Sequence, residues 1–127
     1  MNYGEIKAAI LGRSHRNDLA SHVAEFIALA ESEYNRRTGS TYEIAGADTK
    51  HNWLSDNAPD VYIYGGLMQL SIWDVNDAGI QKYTALFERA TAQAQYAEVR
   101  ESGILDETVE LDDALITSSS NILEGTP

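Results

Sequence analysis

The residues best suited to chemistry in this chain are three histidines and a group of glutamates. His22 and Glu25 stand three apart in a helical pattern, so they share a helix face. Di-iron carboxylate bundles need two Glu-x-x-His motifs and two further glutamates. Here the order is reversed and the pair occurs once. His51 lies in a polar stretch with no second ligand at a fixed spacing, and His15 lies in a polar connector. All three read as surface or capping histidines. The chain has no cysteine, which excludes disulfides, thiolate metal sites and thiol catalysis. No metal and no cofactor are expected.

Glu25, Glu31 and Glu33 sit on one predicted helix. A carboxylate pair can hydrolyse glycosidic bonds when one member has a raised pKa. That requires an apolar pocket, and the sequence supplies no sign of one. The three glutamates read as a solvated helix face. No glycine-rich phosphate loop follows a strand, and Gly39-Ser40 stands outside any Gly-x-Ser-x-Gly frame. The chain is expected not to be an enzyme.

The elements that would carry these residues follow from periodicity. The 127 residues fit one domain. Residues 1–12 read as a short helix, with Tyr3, Ile6 and Ile10 at helical spacing. Residues 17–37 form the clearest helix. Asn17 or Asp18 is its expected N-cap, and Leu19, Val23, Phe26, Ile27, Ala30 and Tyr34 form its apolar stripe. Gly39 is the expected stop. Residues 39–55 read as a loop, with an extended piece at 41–44. Residues 80–102 read as a long helix with Ile80, Tyr83, Phe87, Ala90, Ala94 and Ala97 on one face, stopped by Gly103.

Residues 60–73 are ambiguous. Gly65-Gly66 between two β-rich runs is a hairpin signal. Against it stands Asn57-Ala58-Pro59-Asp60, which has the look of a helix start, with a cap residue and an early proline. As a helix the segment is apolar nearly all round and must be central or shared between subunits. The two glycines would then mark close approach to a neighbouring helix. Trp53 and Trp73 bracket this helix, and either core packing or an interface would suit them, with core favoured for Trp73.

Charge is uneven. The net charge is −11. Residues 101–127 hold seven acids and no base, whereas residues 1–100 have a net charge of −4. Nucleic-acid phosphates and anionic membranes repel such a chain. The tail is either a solvated end or an arm for a basic partner surface. No apolar run approaches the roughly 20 residues that span a bilayer. A cytoplasmic site of synthesis is expected.

Two ordered segments resemble the head-to-tail adaptor family of short-tailed bacteriophages. The first is His15-Arg16-Asn17-Asp18-Leu19, leading to Phe26-Ile27-Ala28-Leu29-Ala30-Glu31 and Asn35-Arg36-Arg37. The second is Asn52-Trp53-Leu54, followed by Ala58-Pro59-Asp60-Val61-Tyr62-Ile63-Tyr64-Gly65. The resemblance covers roughly residues 1–100, with the two segments in order. The resemblance implies a helical protein that assembles as a ring, usually dodecameric, beneath the portal protein. It also implies an extended DNA channel, a platform for the tail nozzle or tail fibres, and a C-terminal arm on the portal or a neighbouring subunit. Many relatives carry a longer insertion between the two segments, which here are joined by residues 38–51 alone. Some relatives are regarded as cell-wall hydrolases, and no residue here matches a catalytic motif for that.

The combined expectation is an all-α bundle of three to four helices, with a body at 1–103 and an acidic extended arm at 104–127. The function expected is that of a virion head-to-tail adaptor. Its partners would be the portal and tail proteins and further copies of itself, with DNA passing through unbound and no membrane involved. Val109, Leu111, Leu115 and Ile116 would carry the binding arm. Arg36, Arg37, Trp53 and Tyr62 would make contacts between subunits. The alternatives are a small peptidoglycan hydrolase and a generic helical interaction module.

Overall fold

The computed structural model describes residues 1–102, and those residues are all-α. The helices are α1 (Tyr3–Ser14), a 3₁₀ helix (Asn17–His22), α2 (Val23–Thr38), α3 (Trp53–Asn57), α4 (Pro59–Trp73) and α5 (Asp77–Ser102). They divide between two compact units. The first, Met1–Ala94, contains everything from α1 to most of α5, and the second begins at Gln95 with the last turns of α5. The expected arm residues Val109, Leu111, Leu115 and Ile116 lie outside the described residues.

The ends of α1 and α2 are set by local chemistry. Asn2 accepts from the Glu5 N–H while Glu5 accepts from the Asn2 N–H, a reciprocal capping box. Gly39, at φ 72°, terminates α2 in the left-handed conformation that glycine adopts without strain. The start of α2 differs from expectation. The helix expected at 17–37 is broken into a 3₁₀ turn and an α-helix, and neither has a side-chain cap. Asp18 is bound by the Arg16 guanidinium at 2.9 Å through both oxygens, so it cannot cap. Asn17, Asp18, Ser21 and His22 are also weak α-formers that leave the tighter turn competitive.

Residues 60–73 form helix and not hairpin. Pro59 occupies the first turn of α4, where its missing N–H has no partner to lose. The cap is Ala58; Asn57 belongs to α3, and its amide donates to the Trp53 carbonyl. The helix is central because α1, α2 and α3 all pack on it. Phe87 of α5 closes over Gly65, and Tyr83 stacks on Tyr64. Val61, Tyr62, Ile63, Leu67, Met68 and Leu70 are thereby buried within one chain. Each large apolar side chain removed from water contributes roughly 1.5–3 kcal/mol.

The two glycines of α4 permit this crowding. A Cβ on Gly65 would lie 2.5 Å from the Ala30 Cβ, and one on Gly66 would lie 2.4 Å from the Ile10 Cδ1. Close approach to neighbouring helices, expected from the sequence, is what these positions provide.

The connection from α2 to α3 contains no strand, and the extended piece expected at 41–44 does not pair as one. It is held by side chains. The Asn35 amide donates to the Tyr42 carbonyl at 2.9 Å and its oxygen accepts from the Tyr42 N–H at 3.2 Å. Tyr3 and Gly4 of α1 donate to the carbonyls of Lys50 and Asp48. Ile44 is driven into the core. The loop ends earlier than expected, because Asn52 and Ser55 cap α3 reciprocally.

Among the described residues, one fully enclosed side-chain polar atom lacks a partner, the Thr91 hydroxyl on α5. An unpaired buried hydroxyl carries a desolvation cost that an isosteric methyl removes. Thr91→Val is expected to raise stability by about 1 kcal/mol, read as a higher urea midpoint at unchanged slope.

Candidate functional site

The chemically distinctive cluster is built around Glu31. It projects from α2 between Ala30 and Tyr34 of the apolar stripe and is 8% exposed. Its Oε2 accepts from the Tyr62 hydroxyl of α4 at 2.6 Å and from the Ile44 N–H of the loop at 2.9 Å. Tyr62 in turn accepts from the Asn52 amide at 3.1 Å. One carboxyl therefore joins α2, α4, the loop and the cap of α3.

Burial pushes the Glu31 pKa above the ordinary glutamate value. The hydrogen bonds from Tyr62 and Ile44 and the charge of Lys50 pull the other way, and Glu43 adds to the rise. The Tyr62 phenol is also raised, by its burial and by donation to Glu31. The expectation of a solvated face for Glu25, Glu31 and Glu33 is corrected at Glu31, which lies inside. Glu25 and Glu33 are outside it: Glu25 pairs with His22 at 3.7 Å, and Glu33 is bound by Arg36 and Arg37. The arginines hold Glu33 below its usual carboxylate range. A carboxyl of raised pKa is the first requirement of a general acid. Glu31 meets it, but its hydrogen bonds are all to the chain's own core and loop.

Among the described residues no three histidines or carboxylates gather as a metal site. His51 pairs with Asp56 at 2.7 Å, and the His22 ring lies 4.6 Å from that of Trp73.

The residues expected between subunits are distributed differently. Tyr62 is 0% exposed, so it offers nothing to a neighbouring subunit, which corrects its assignment. Most of the apolar surface of α4 is likewise buried within the chain, with Ile72 and Trp73 at its end left exposed. Arg37 meets Glu33 at 2.6 Å and Glu88 at 3.5 Å and lies over the Phe87 ring, and Arg36 also binds Glu33. Both find acids inside this chain. Trp53 is half-buried and stacked with Tyr42. Trp73, expected in the core, is 51% exposed; it ends α4 and rests against His22 and Phe26 from outside. Ile72 and Val75 beside it are exposed as well.

No known family, no curated protein and no solved structure matches this chain. No helix among the described residues is long and apolar enough to cross a membrane.

Proposed function

We propose that the chain is a structural virion protein, a head-to-tail adaptor that forms a ring under the portal and catalyses nothing. One observation carries the reading. The two segments that resemble the adaptor family pack against each other and supply the contacts that define the body. Glu31 of the first binds Tyr62 of the second, Ala30 lies against Gly65, and Asn52 completes the network. Residues that carry the resemblance are therefore among those that set the helix arrangement of this chain, which supports the reading. The net charge of −11 supports a channel that does not hold DNA by its phosphates. In this reading residues 104–127 are the arm that binds the portal or a neighbouring subunit, and Arg36 and Trp53 remain candidates at the ring interface. Synthesis is in the host cytoplasm and the site of action is the head-tail junction.

The test is assembly. Mixed with purified portal, the protein is expected to sediment as a ring complex visible by negative stain. Deleting residues 104–127 is expected to weaken portal binding at least tenfold while far-UV circular dichroism keeps its helical form. A chain that stays monomeric beside the portal defeats the adaptor reading, and unchanged portal affinity of the deletion defeats the arm.

A further inference from the structure

A cavity of about 200 Å³ opens where the first turns of α5 meet the ends of α1 and α4. Leu67 and Leu70 of α4 give it an apolar floor. Its rim is polar, and part of that rim is already satisfied. The Arg16 guanidinium binds both Asp74 and Asp18, so the acid in the wall already has a cationic partner, and the three groups together keep one negative charge. Ser14 donates to the Leu11 carbonyl.

The remaining polar groups are donors with nothing to bind among the described residues. The Arg13 guanidinium has no acid; it lies over the Tyr64 ring at 5.8 Å. Asn76 uses its oxygen to accept from the Gly79 N–H, which leaves its amide protons free. The Tyr83 hydroxyl, also on the lining, has no hydrogen bond among the described residues. Ser71, only 4% exposed, lines this cavity, and its hydroxyl has no partner among the described residues.

A second observation lies on the same rim. Val75, between Asp74 and Asn76, ends α4 in a Schellman turn: the Asn76 N–H bonds the Ser71 carbonyl and the Val75 N–H bonds that of Ile72. This position calls for glycine, and Val75 holds φ 52° while 77% exposed. A β-branched residue in that conformation is strained. Strain kept at an exposed apolar side chain points to use of that side chain. Ile72 and Trp73 extend the apolar surface.

We propose that this cavity binds the carboxylate side chain of an aspartate or glutamate presented by a partner polypeptide, with the partner's flanking apolar residues against Val75 and Ile72. One unpaired guanidinium with neutral donors suits a single negative charge, and the leucine floor suits a methylene stem. The volume is below the range for drug-sized ligands and fits one side chain. A phosphate dianion would need more unpaired positive charge than Arg13 provides in a chain of net −11.

The probe is a capped peptide, Ala-Leu-Glu-Leu-Ala, titrated into the full chain and followed by NMR at the Asn76 side-chain amide and the Arg13 Nε–H. Saturable shifts at both are expected. Glutamine in place of the peptide glutamate, or Arg13→Gln in the protein, is expected to weaken binding about tenfold. Val75→Gly is expected to melt at a higher temperature and still bind the peptide several-fold more weakly. That combination separates loss of a contact from loss of the fold. Equal binding of the glutamine peptide, or no effect of Arg13→Gln, overturns the carboxylate site. Butyrate binding as tightly as the peptide overturns the polypeptide partner, and full affinity in Val75→Gly overturns the role of the strained rim.

Discussion

Gly65→Ala is expected to lower stability by about 2–3 kcal/mol, even though alanine is favoured over glycine in a helix by about 1 kcal/mol. The new methyl carbon would lie 2.5 Å from the Ala30 Cβ and 2.9 Å from two ring carbons of Phe87. Neither can yield cheaply. The Ala30 Cβ is fixed to the α2 backbone, and Phe87 is fully buried. Relief therefore requires α2 or α5 to step away from α4, which opens a core that packs at crystal-like density. Gly66→Ala is the control. Its methyl meets the Ile10 Cδ1, the far end of one side chain, buried like Phe87 but not a Cβ fixed to a neighbouring backbone. Its expected net cost is about 1 kcal/mol or less. Ala30→Gly introduced with Gly65→Ala should recover part of the loss, because it removes the closer of the two clashes, while Phe87 still resists. Urea unfolding of the four proteins measures this, and a Gly65→Ala protein as stable as the parent would show that the α2–α4 distance is not set by the glycine.

This pair of glycines also shows what could be read from the chain. Their type signalled either a tight hairpin or tight helix packing, and the choice rested on Pro59 and on the lack of alternation through Trp73. Two short-range signals match the structure: Gly39 stops α2, and Tyr3, Ile6 and Ile10 face the core, whereas the N-cap expected at Asn17 or Asp18 does not form. Two capping boxes, Asn2 with Glu5 and Asn52 with Ser55, set the start of α1 at Tyr3 and create α3, and periodicity alone does not reveal either. The break between the 3₁₀ turn and α2 depends on Arg16 withdrawing Asp18 from capping, and periodicity cannot reveal that. Glu31 carried a local clue. It lies four residues after Ile27 and three before Tyr34, so it sits within the apolar stripe and not beside it. Its partner Tyr62 is 31 positions away, and Ile44 offers only a backbone N–H, so the site itself appears only on folding. The donor-lined cavity is drawn from three helices and had no sequence signature. Trp73 went the other way: a large aromatic at the end of an apolar helix reads as core, and only the position of His22 and Phe26 beneath it puts it outside.

The Glu31 network gives the second large effect, and pH separates its parts. Glu31→Ala strands the Tyr62 hydroxyl proton and the Ile44 N–H in the core, and is expected to cost about 2–4 kcal/mol. Glu31→Gln keeps an acceptor for both and should be far milder. The comparison of wild type with Glu31→Gln across pH then reports the carboxyl alone. Folding raises the Glu31 pKa, because burial penalises the charged form more than Tyr62 and Ile44 stabilise it. A group whose folded pKa is raised adds stability that is complete below the unfolded value, about 4.3 for glutamate. That stability is lost as pH rises through the folded value. Wild type should therefore lose stability relative to Glu31→Gln from mildly acid conditions upward, and level off once Glu31 is ionised. Asp18, Glu33 and Asp56 have lowered values and the opposite sign, with stability lost as pH falls. They are present in both proteins and cancel in the difference. Tyr62→Phe removes the stronger of the two donors to Glu31, so the fall should move to higher pH in that background. A double-mutant cycle between the two sites is expected to give a coupling of about 1–2 kcal/mol. A pH-independent difference between wild type and Glu31→Gln would mean that Glu31 titrates as an exposed carboxylate, and that the loop at residues 39–52 is held by Asn35 and the Asp48 and Lys50 carbonyls without it.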